Sequence, residues 1–376
     1  MPRLARPTAA RAVALAAAAV TLAAAADPAG AQNPRMGTRA SGLLRADSPV
    51  GTFPPDLSDP AIASAYNSVR DGINLNGIGV LQTIDPNDSR FAFFCTTQRI
   101  GRRTLITAAH CVTDELNGKL LRTANQASTF FIGPDNEFHR YDVDFVKVRP
   151  DWAGFGNPLT PGFGDVAVLN FATDLPSWMT TYDTFDEVIA PGTGFSNGAV
   201  PVTQAGFGTY GTGTGSTAFG DFNRRWGQNY LDFTGFFGND DGVLYTNFQD
   251  ADGNYDTTCQ VLGPDACNPT RGAMEAGIAN GDSGGPLFIG GRLAGVASFG
   301  TYWCDPTVTT RCVPFVADPA RRFNSYGALN GYAPLAPNLA FIRASTIPEP
   351  STVALVGAGV LGVAGMAARR RRVPLS

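Results

Sequence analysis

The chain reads as an all-β protein, and three observations carry that prediction. Short runs rich in β-branched and aromatic residues recur, each bounded by turn residues. Gly (44) and Pro (27) supply the punctuation such runs need, within a chain of 376 residues. No long amphipathic helix appears between the two ends.

In chain order the predicted strands are Gly79–Ile84, Phe91–Cys95, Thr104–Thr107, Val143–Val148, Val166–Phe171, Pro286–Ile289 and Leu293–Ser298. Asp142–Val148 alternates imperfectly, as a partly buried strand does. Gly206–Gly220 is a Gly/Thr-rich loop. Phe219–Asp256 is rich in Asn, Asp and Gly, and its register is undefined. No internal repeat is visible.

Composition removes several function classes. Charged residues make up 16% of the chain, and 44% is hydrophobic, too apolar for generic disorder. His110 and His139 are the only histidines, so a mechanism needing several imidazoles is excluded. The formal charge is -4. Without residues 1–31 and 351–376, seven arginines and one acid fall away and the balance drops to about -10, no footprint for nucleic acid.

Both ends carry address signals. Arg3, Arg6 and Arg11 precede an apolar run, Ala12–Ala26, and small residues at Ala29-Gly30-Ala31. That order reads as a secretory signal peptide over residues 1–31. Residues 32–72, rich in Pro and small residues, read as a pro-segment or linker. At the other end Pro348-Glu349-Pro350 precedes an uncharged stretch, Ser351–Ala368, and then Arg369–Arg372. Eighteen helical residues span about 27 Å, close to the bilayer core, and the arginines are expected to stay cytoplasmic. Residues 347–376 resemble the PEP-CTERM sorting signal of Gram-negative bacteria. The resemblance implies export, at least transient anchoring in the inner membrane, and processing by an exosortase on the way to the surface or extracellular matrix.

Export permits disulfides. Cys95, Cys111, Cys259, Cys267, Cys304 and Cys312 allow about fifteen pairings, of which the local ones, 95/111, 259/267 and 304/312, are the simplest. No Cys/His spacing suggests zinc. Asp250, Asp252, Asn254 and Asp256 alternate as oxygen ligands do, but the glycine and final glutamate of an EF-hand loop are missing. We read that segment as a solvated turn, expect no metal or cofactor, and place His139 on the surface.

Three segments carry chemistry. Leu105-Ile106-Thr107-Ala108-Ala109-His110-Cys111 sets a histidine at the end of an apolar strand, beside a cysteine able to pin it. Gly164-Asp165-Val166-Ala167-Val168-Leu169 sets an aspartate before a buried strand. Gly281-Asp282-Ser283-Gly284-Gly285-Pro286-Leu287 sets a serine among glycines, where the backbone turns sharply and presents amide N–H groups. A serine needs a base to take its proton, and a histidine oriented by a carboxylate is such a base.

At these residues the chain resembles the trypsin/chymotrypsin-like serine proteases. Over residues 73–346 the resemblance implies two antiparallel six-stranded β-barrels with the active site between them. It implies His110 as general base, Asp165 as its partner, Ser283 as nucleophile, and the N–H groups of Gly281 and Ser283 as the oxyanion hole. Cys95 and Cys111 match the family's disulfide beside the histidine. Gly277, Ile278, Ser298 and Gly300 fall where the family builds its specificity pocket; none offers a carboxylate, which implies cleavage after apolar residues. Weaker echoes lie at Arg149-Pro150-Asp151-Trp152, Gly206-Phe207-Gly208 and Ala297-Ser298-Phe299-Gly300. The chain departs from the pattern in having Ala279 where the family has a cysteine. It also lacks a clean Ile/Val-Val-Gly-Gly start; Arg70-Asp71-Gly72-Ile73 is the nearest segment.

The implied function is an exported serine endopeptidase acting on protein or peptide substrates without a cofactor. An α/β-hydrolase is excluded because no histidine follows Ser283. A papain-like pairing of Cys111 with His139 has no supporting segment. A non-catalytic adhesion or binding protein on the same scaffold is the rival from another class, and labelling by a fluorophosphonate probe separates the two.

Overall fold

Fourteen strands form two antiparallel seven-stranded sheets, each curled into a half-barrel for a reason visible in the connections. The structure is a computed structural model, and it describes residues 44–45, 69–85, 87, 92–135, 137–155, 162–190, 199–209, 213, 224–236, 239–301 and 325–347. The first sheet contains β1 (Ile78–Ile84), β2 (Ala92–Gly101), β3 (Thr104–Thr107), β4 (Ser128–Ile132), β5 (Phe138–Asp142), β6 (Phe145–Val148) and β7 (Ala167–Asn170). The second contains β8 (Val200–Gly206), β9 (Arg225–Leu231), β10 (Phe233–Phe236), β11 (Asn239–Asn247), β12 (Pro286–Ile289), β13 (Arg292–Thr301) and β14 (Leu329–Pro334).

The first sheet runs β5-β4-β1-β2-β3-β7-β6 and the second β9-β8-β12-β13-β14-β11-β10. In each, the two outermost strands are consecutive in the chain. Val143 and Asp144 join β5 to β6, and Asp232 alone joins β9 to β10. A link of one or two residues reaches at most about 10 Å, so the edges must come together and the sheets must curl. Two antiparallel curled sheets match the expected architecture, with seven strands in each where six were expected.

The core follows from the sequence of these strands. Leu81, Leu105, Phe131, Ala167 and Leu169 fill the first sheet, and Val202, Leu231, Leu244, Leu287 and Tyr332 the second. A third apolar cluster joins the two sheets: Ile78, Val80, Ile106 and Val168 meet Ala205, Phe288, Val296 and Ala333. Opposite faces of β1, β3 and β7 therefore serve different cores, as the two-residue period of a strand requires.

The connection between sheets is pinned by Arg99. Its buried guanidinium donates to the carbonyls of Pro176 (2.6 Å) and Met179 (2.8 Å). The linker then exchanges hydrogen bonds with the second sheet, Leu293 N–H to Asp183 O and Phe185 N–H to Leu293 O, both 2.8 Å. Helices are short: α1 (Thr257–Leu262) and α2 (Leu339–Ser345). Among the described residues no helix is long and apolar enough to cross a membrane. The expected signal peptide and the C-terminal apolar stretch lie outside the described residues. Leu44–Arg45 pairs antiparallel with Ala276–Gly277.

Candidate active site

His110 stands in a single 3-10 turn, Ala109–Cys111, immediately after β3. The turn is clamped by the Cys95–Cys111 disulfide, which ties it to β2. A closed loop of this length contributes about 3 kcal/mol in the chain-entropy account. Asp165 ends a tight turn that starts at Gly162, where φ is +80°, and β7 follows it. β3 and β7 are hydrogen-bonded neighbours, so the two side chains are brought to the same end of one strand pair.

Asp165 is fully buried and grips His110 twice. Its Oδ1 accepts the His110 backbone N–H at 2.8 Å, and its Oδ2 lies 2.7 Å from Nδ1. A carboxylate only accepts, so Nδ1 carries the proton and the Nε2 lone pair is free for chemistry. Ser298 Oγ, from β13, donates to the same Oδ2 at 2.6 Å. Burial opposes the imidazolium, but the charge and hydrogen bond of Asp165, with Glu115 adding its charge, leave the His110 pKa raised overall. Burial likewise raises Glu115, with the charges of Asp165 and Asp114 adding to the rise and that of His110 opposing it. The Phe155 ring lies 5.4 Å from the imidazole, centroid to centroid, and covers it.

Ser283 reaches this corner from the second sheet. Thr96, next to the disulfide on β2, donates its N–H to Ser283 O at 2.8 Å and its hydroxyl to Gly281 O at 3.0 Å. Gly281 and Gly284 take φ of +96° and +80°, conformations that exclude most side chains. Gly284 is required for space as well, since a Cβ there would stand 2.1 Å from Thr107 Oγ1 and 2.4 Å from Thr96 O. Within the loop the N–H groups of Asp282, Gly284 and Gly285 are taken by Ala279 O, Ala297 O and Asp282 O. Among the described residues, those of Gly281 and Ser283 have no acceptor, which leaves them available to an incoming oxyanion.

Asp282 has its own partners, apart from His110. It is buried against the 206–208 segment, where its carboxylate accepts the N–H groups of Gly208 (2.6 Å) and Ala279 (2.8 Å). Burial pushes it up to about 7, against the pull of these two amides and of Arg225.

Two of the four expected pocket residues, Ile278 and Gly300, meet a residue that the sequence did not single out. Asn330 on β14 accepts the Ile278 N–H at 3.1 Å and is the register partner of Gly300. Gly277 is buried against Phe248, whose Cγ would be 2.9 Å from an added Cβ. Ser298 is committed to Asp165. Sequence reasoning also missed Glu115, Thr96 and Phe155, which reach the site through tertiary contacts alone and carry no local motif.

Of the expected disulfides, 95/111 and 259/267 are formed; Cys304 and Cys312 lie outside the described residues. His139 is on the surface beside Asp135. The acidic run beginning at Asp250 is a turn closed on itself, Asp250 accepting the N–H groups of Asp252 (3.1 Å) and Asn254 (2.7 Å).

Comparison with known proteins bears on both halves of the reading. A family model described as Trypsin matches residues 252–318, a span that includes Ser283 and the pocket residues but not His110 or Asp165. A model described as PEP-CTERM protein-sorting motif matches residues 346–372. No curated protein matches the chain. Among solved structures the chain is similar to neuropsin, a serine protease expressed in the limbic system of mouse brain, at 14% identity over 72% of this chain and 94% of that one, with a TM-score of 0.42.

Proposed function

We propose that this chain is an exported serine endopeptidase that uses His110, Asp165 and Ser283, and that its C-terminal signal hands it to an exosortase-type sorting system. One observation carries the catalytic reading. A buried carboxylate orients a histidine through Nδ1, and a serine loop with two free amides docks on the strand beside that histidine.

The chemistry follows from the roles available. Ser283 Oγ attacks the carbonyl carbon of a peptide bond while His110 Nε2 takes its proton. The carbonyl oxygen becomes an oxyanion, which the Gly281 and Ser283 amides stabilise. Collapse breaks the C–N bond, and the imidazolium returns its proton to the departing amine. Water, deprotonated by the same Nε2, then hydrolyses the acyl-serine ester and regenerates the hydroxyl. Asp165 stabilises the transient imidazolium, with Ser298 Oγ donating to the same Oδ2. Phe155, 5.4 Å from the imidazole, is itself held by Trp152 in a T-shaped contact at 5.2 Å.

Among the described residues the one carboxylate bonded to a pocket residue is Asp165, at Ser298, and it is engaged by His110; none bonds Gly277, Ile278, Gly300 or Asn330, which supports a pocket for uncharged side chains. A buried substrate cation without a counter-charge costs several kcal/mol, whereas an apolar side chain gains about 1.5–3 kcal/mol. Cleavage after Phe, Tyr, Leu or Met is therefore expected.

The test is kinetic. Ser283→Ala and His110→Ala should each lower turnover about 10⁶-fold and the double variant no further, since the residues act as a unit. An active Ser283→Ala, or losses that add in the double variant, overturns the assignment.

A further inference from the structure

Where β9 turns into β10 and α1 begins, the second sheet buries a set of acidic and amide side chains that the proposed chemistry does not use. Asp232, the single residue between β9 and β10, is 1% exposed, and so is Glu275; Asp256, at the N-cap of α1, is 8% exposed. Their neighbours connect them. Asn268 donates its side-chain N–H to Asp232 Oδ1 at 3.0 Å and its backbone N–H to Asp256 Oδ2 at 3.1 Å. Asn247 donates its backbone N–H to Asp232 Oδ2. The Arg271 backbone N–H goes to Glu275 Oε2 at 2.8 Å, while its guanidinium turns away to Gln228 and Tyr230. Among the described residues, no basic side chain is bonded to any of the three carboxylates.

Four oxygens in this group have no partner although they are sealed from water: Asn247 Oδ1, Gln249 Oε1, Asn268 Oδ1 and Glu275 Oε1. Rotating the amides does not repair this. The Asn247 nitrogen is held by Tyr255 O (3.1 Å), the Gln249 nitrogen by Asn268 O (3.3 Å) and the Asn268 nitrogen by Asp232. Each of those partners only accepts, so a flipped amide would set oxygen against oxygen.

Unpartnered buried acceptors call for a donor or a cation, and a water molecule would leave the charge in place. Every unpartnered group is an oxygen, one from the Glu275 carboxylate and three from amide carbonyls, the set a hard divalent ion takes and a soft metal does not. We propose that this cluster is a calcium site formed by Asp232, Glu275, Asn247, Gln249 and Asn268, with Asp256 orienting Asn268. The ion would tie α1 and the Cys259–Cys267 loop to the second sheet. The site is separate from the exposed Asp250 turn, whose carboxylate is already satisfied by its own amides.

Full-length chain in detergent, stripped with EDTA, is titrated with Ca²⁺ by equilibrium dialysis and with Tb³⁺ by tyrosine-sensitised luminescence. The expected result is saturable binding of about one ion per chain, with a rise in unfolding temperature. Asp232→Asn and Asn268→Ala should each weaken binding at least about tenfold, and Asp250→Asn should leave it unchanged. Asn268→Ala removes one amide and no charge, so it reports even if Asp232→Asn does not fold. Absence of saturable binding, which would leave water or a proton as the occupant, overturns the proposal. So does equal affinity in Asn268→Ala, or a loss confined to Asp250→Asn.

Discussion

Gly284 and Gly291 allow the placement of the serine loop to be measured. Their backbones are nearly the same, at φ +80° and +78°, but a Cβ at Gly291 meets nothing within 4 Å. At Gly284 it would meet Thr107 Oγ1 at 2.1 Å, Thr96 O at 2.4 Å and Ala108 N at 2.8 Å. Alanine at either position accepts the left-handed conformation, at about 1–2 kcal/mol. Only Gly284→Ala also forces the loop away from β2 and β3, where overpacking adds about 1–3 kcal/mol. Two of the three obstructing atoms are backbone and cannot swing aside. The expected fall in unfolding temperature is on the order of 4 °C for Gly291→Ala and 10 °C for Gly284→Ala. Activity separates them further, since displacing a nucleophile by about 1 Å costs about 10²-fold. The assay is calorimetry alongside kcat/KM on a peptide ester, with fluorophosphonate titration counting competent sites. Equal destabilisation in the two variants, with Gly284→Ala fully active, would refute the claim that this loop is seated on the first sheet.

Four further outcomes follow from the site. Ser298→Ala removes a 2.6 Å donor to Asp165, so its carboxylate pulls harder on the imidazolium: the acid limb of the kcat/KM profile should move to higher pH while kcat falls about tenfold. Glu115→Gln removes a charge that raises His110 and should move that limb the other way; a shared direction would be inconsistent with both assignments. For Asp282, a folded pKa of about 7 lies above the ordinary 3.8, so the native state holds the proton more tightly. Its stabilising contribution is whole below about pH 4 and is lost as pH rises through about 7, a change of about 4 kcal/mol that equilibrium urea denaturation at stepped pH would register and Asp282→Asn should flatten. On matched peptides differing only before the scissile bond, kcat/KM should favour Phe or Leu over Arg, and a tenfold preference for Arg would exclude the uncharged pocket.

Legibility of the fold in the sequence tracked where inward-facing residues are apolar. Thr104–Thr107 and Pro286–Ile289 were expected at the bounds they occupy, because each is a short run buried almost throughout. Arg225–Leu231 was not, although its burial alternates perfectly. Its inward Asn229 is polar, and reads as a strand residue only once its amide is seen bonding Asn247 O and Ala276 O. The same holds for Phe138–Asp142, an edge strand whose side chains are all at least partly exposed and leave no apolar signature. The site divides in the same way. His110, Asp165 and Ser283 sit in local motifs, since the turn and strand that present each one are built from its own neighbours. Asn330 and Thr96 serve residues distant in the chain, Glu115 acts on His110 through its charge alone, and no spacing announces them.

Thr96 shows why the chemistry belongs to neither sheet alone. Its hydroxyl donates to Gly281 O and accepts the Phe207 N–H at 3.1 Å, its N–H holds Ser283 O, and its carbonyl takes the Thr107 hydroxyl at 2.8 Å. One residue of the first sheet thus fixes both ends of the serine loop and the strand leading to His110. In the other direction, Ser298 of the second sheet completes the coordination of Asp165 in the first. Each sheet supplies part of the machinery and the other sheet aligns it, and the apolar cluster between them holds the alignment. Local opening at that interface separates Ser283 from His110 without unfolding either core. Activity should therefore be lost before either sheet unfolds, and the Cys95–Cys111 disulfide, which joins two elements of the first sheet, does not resist that first step.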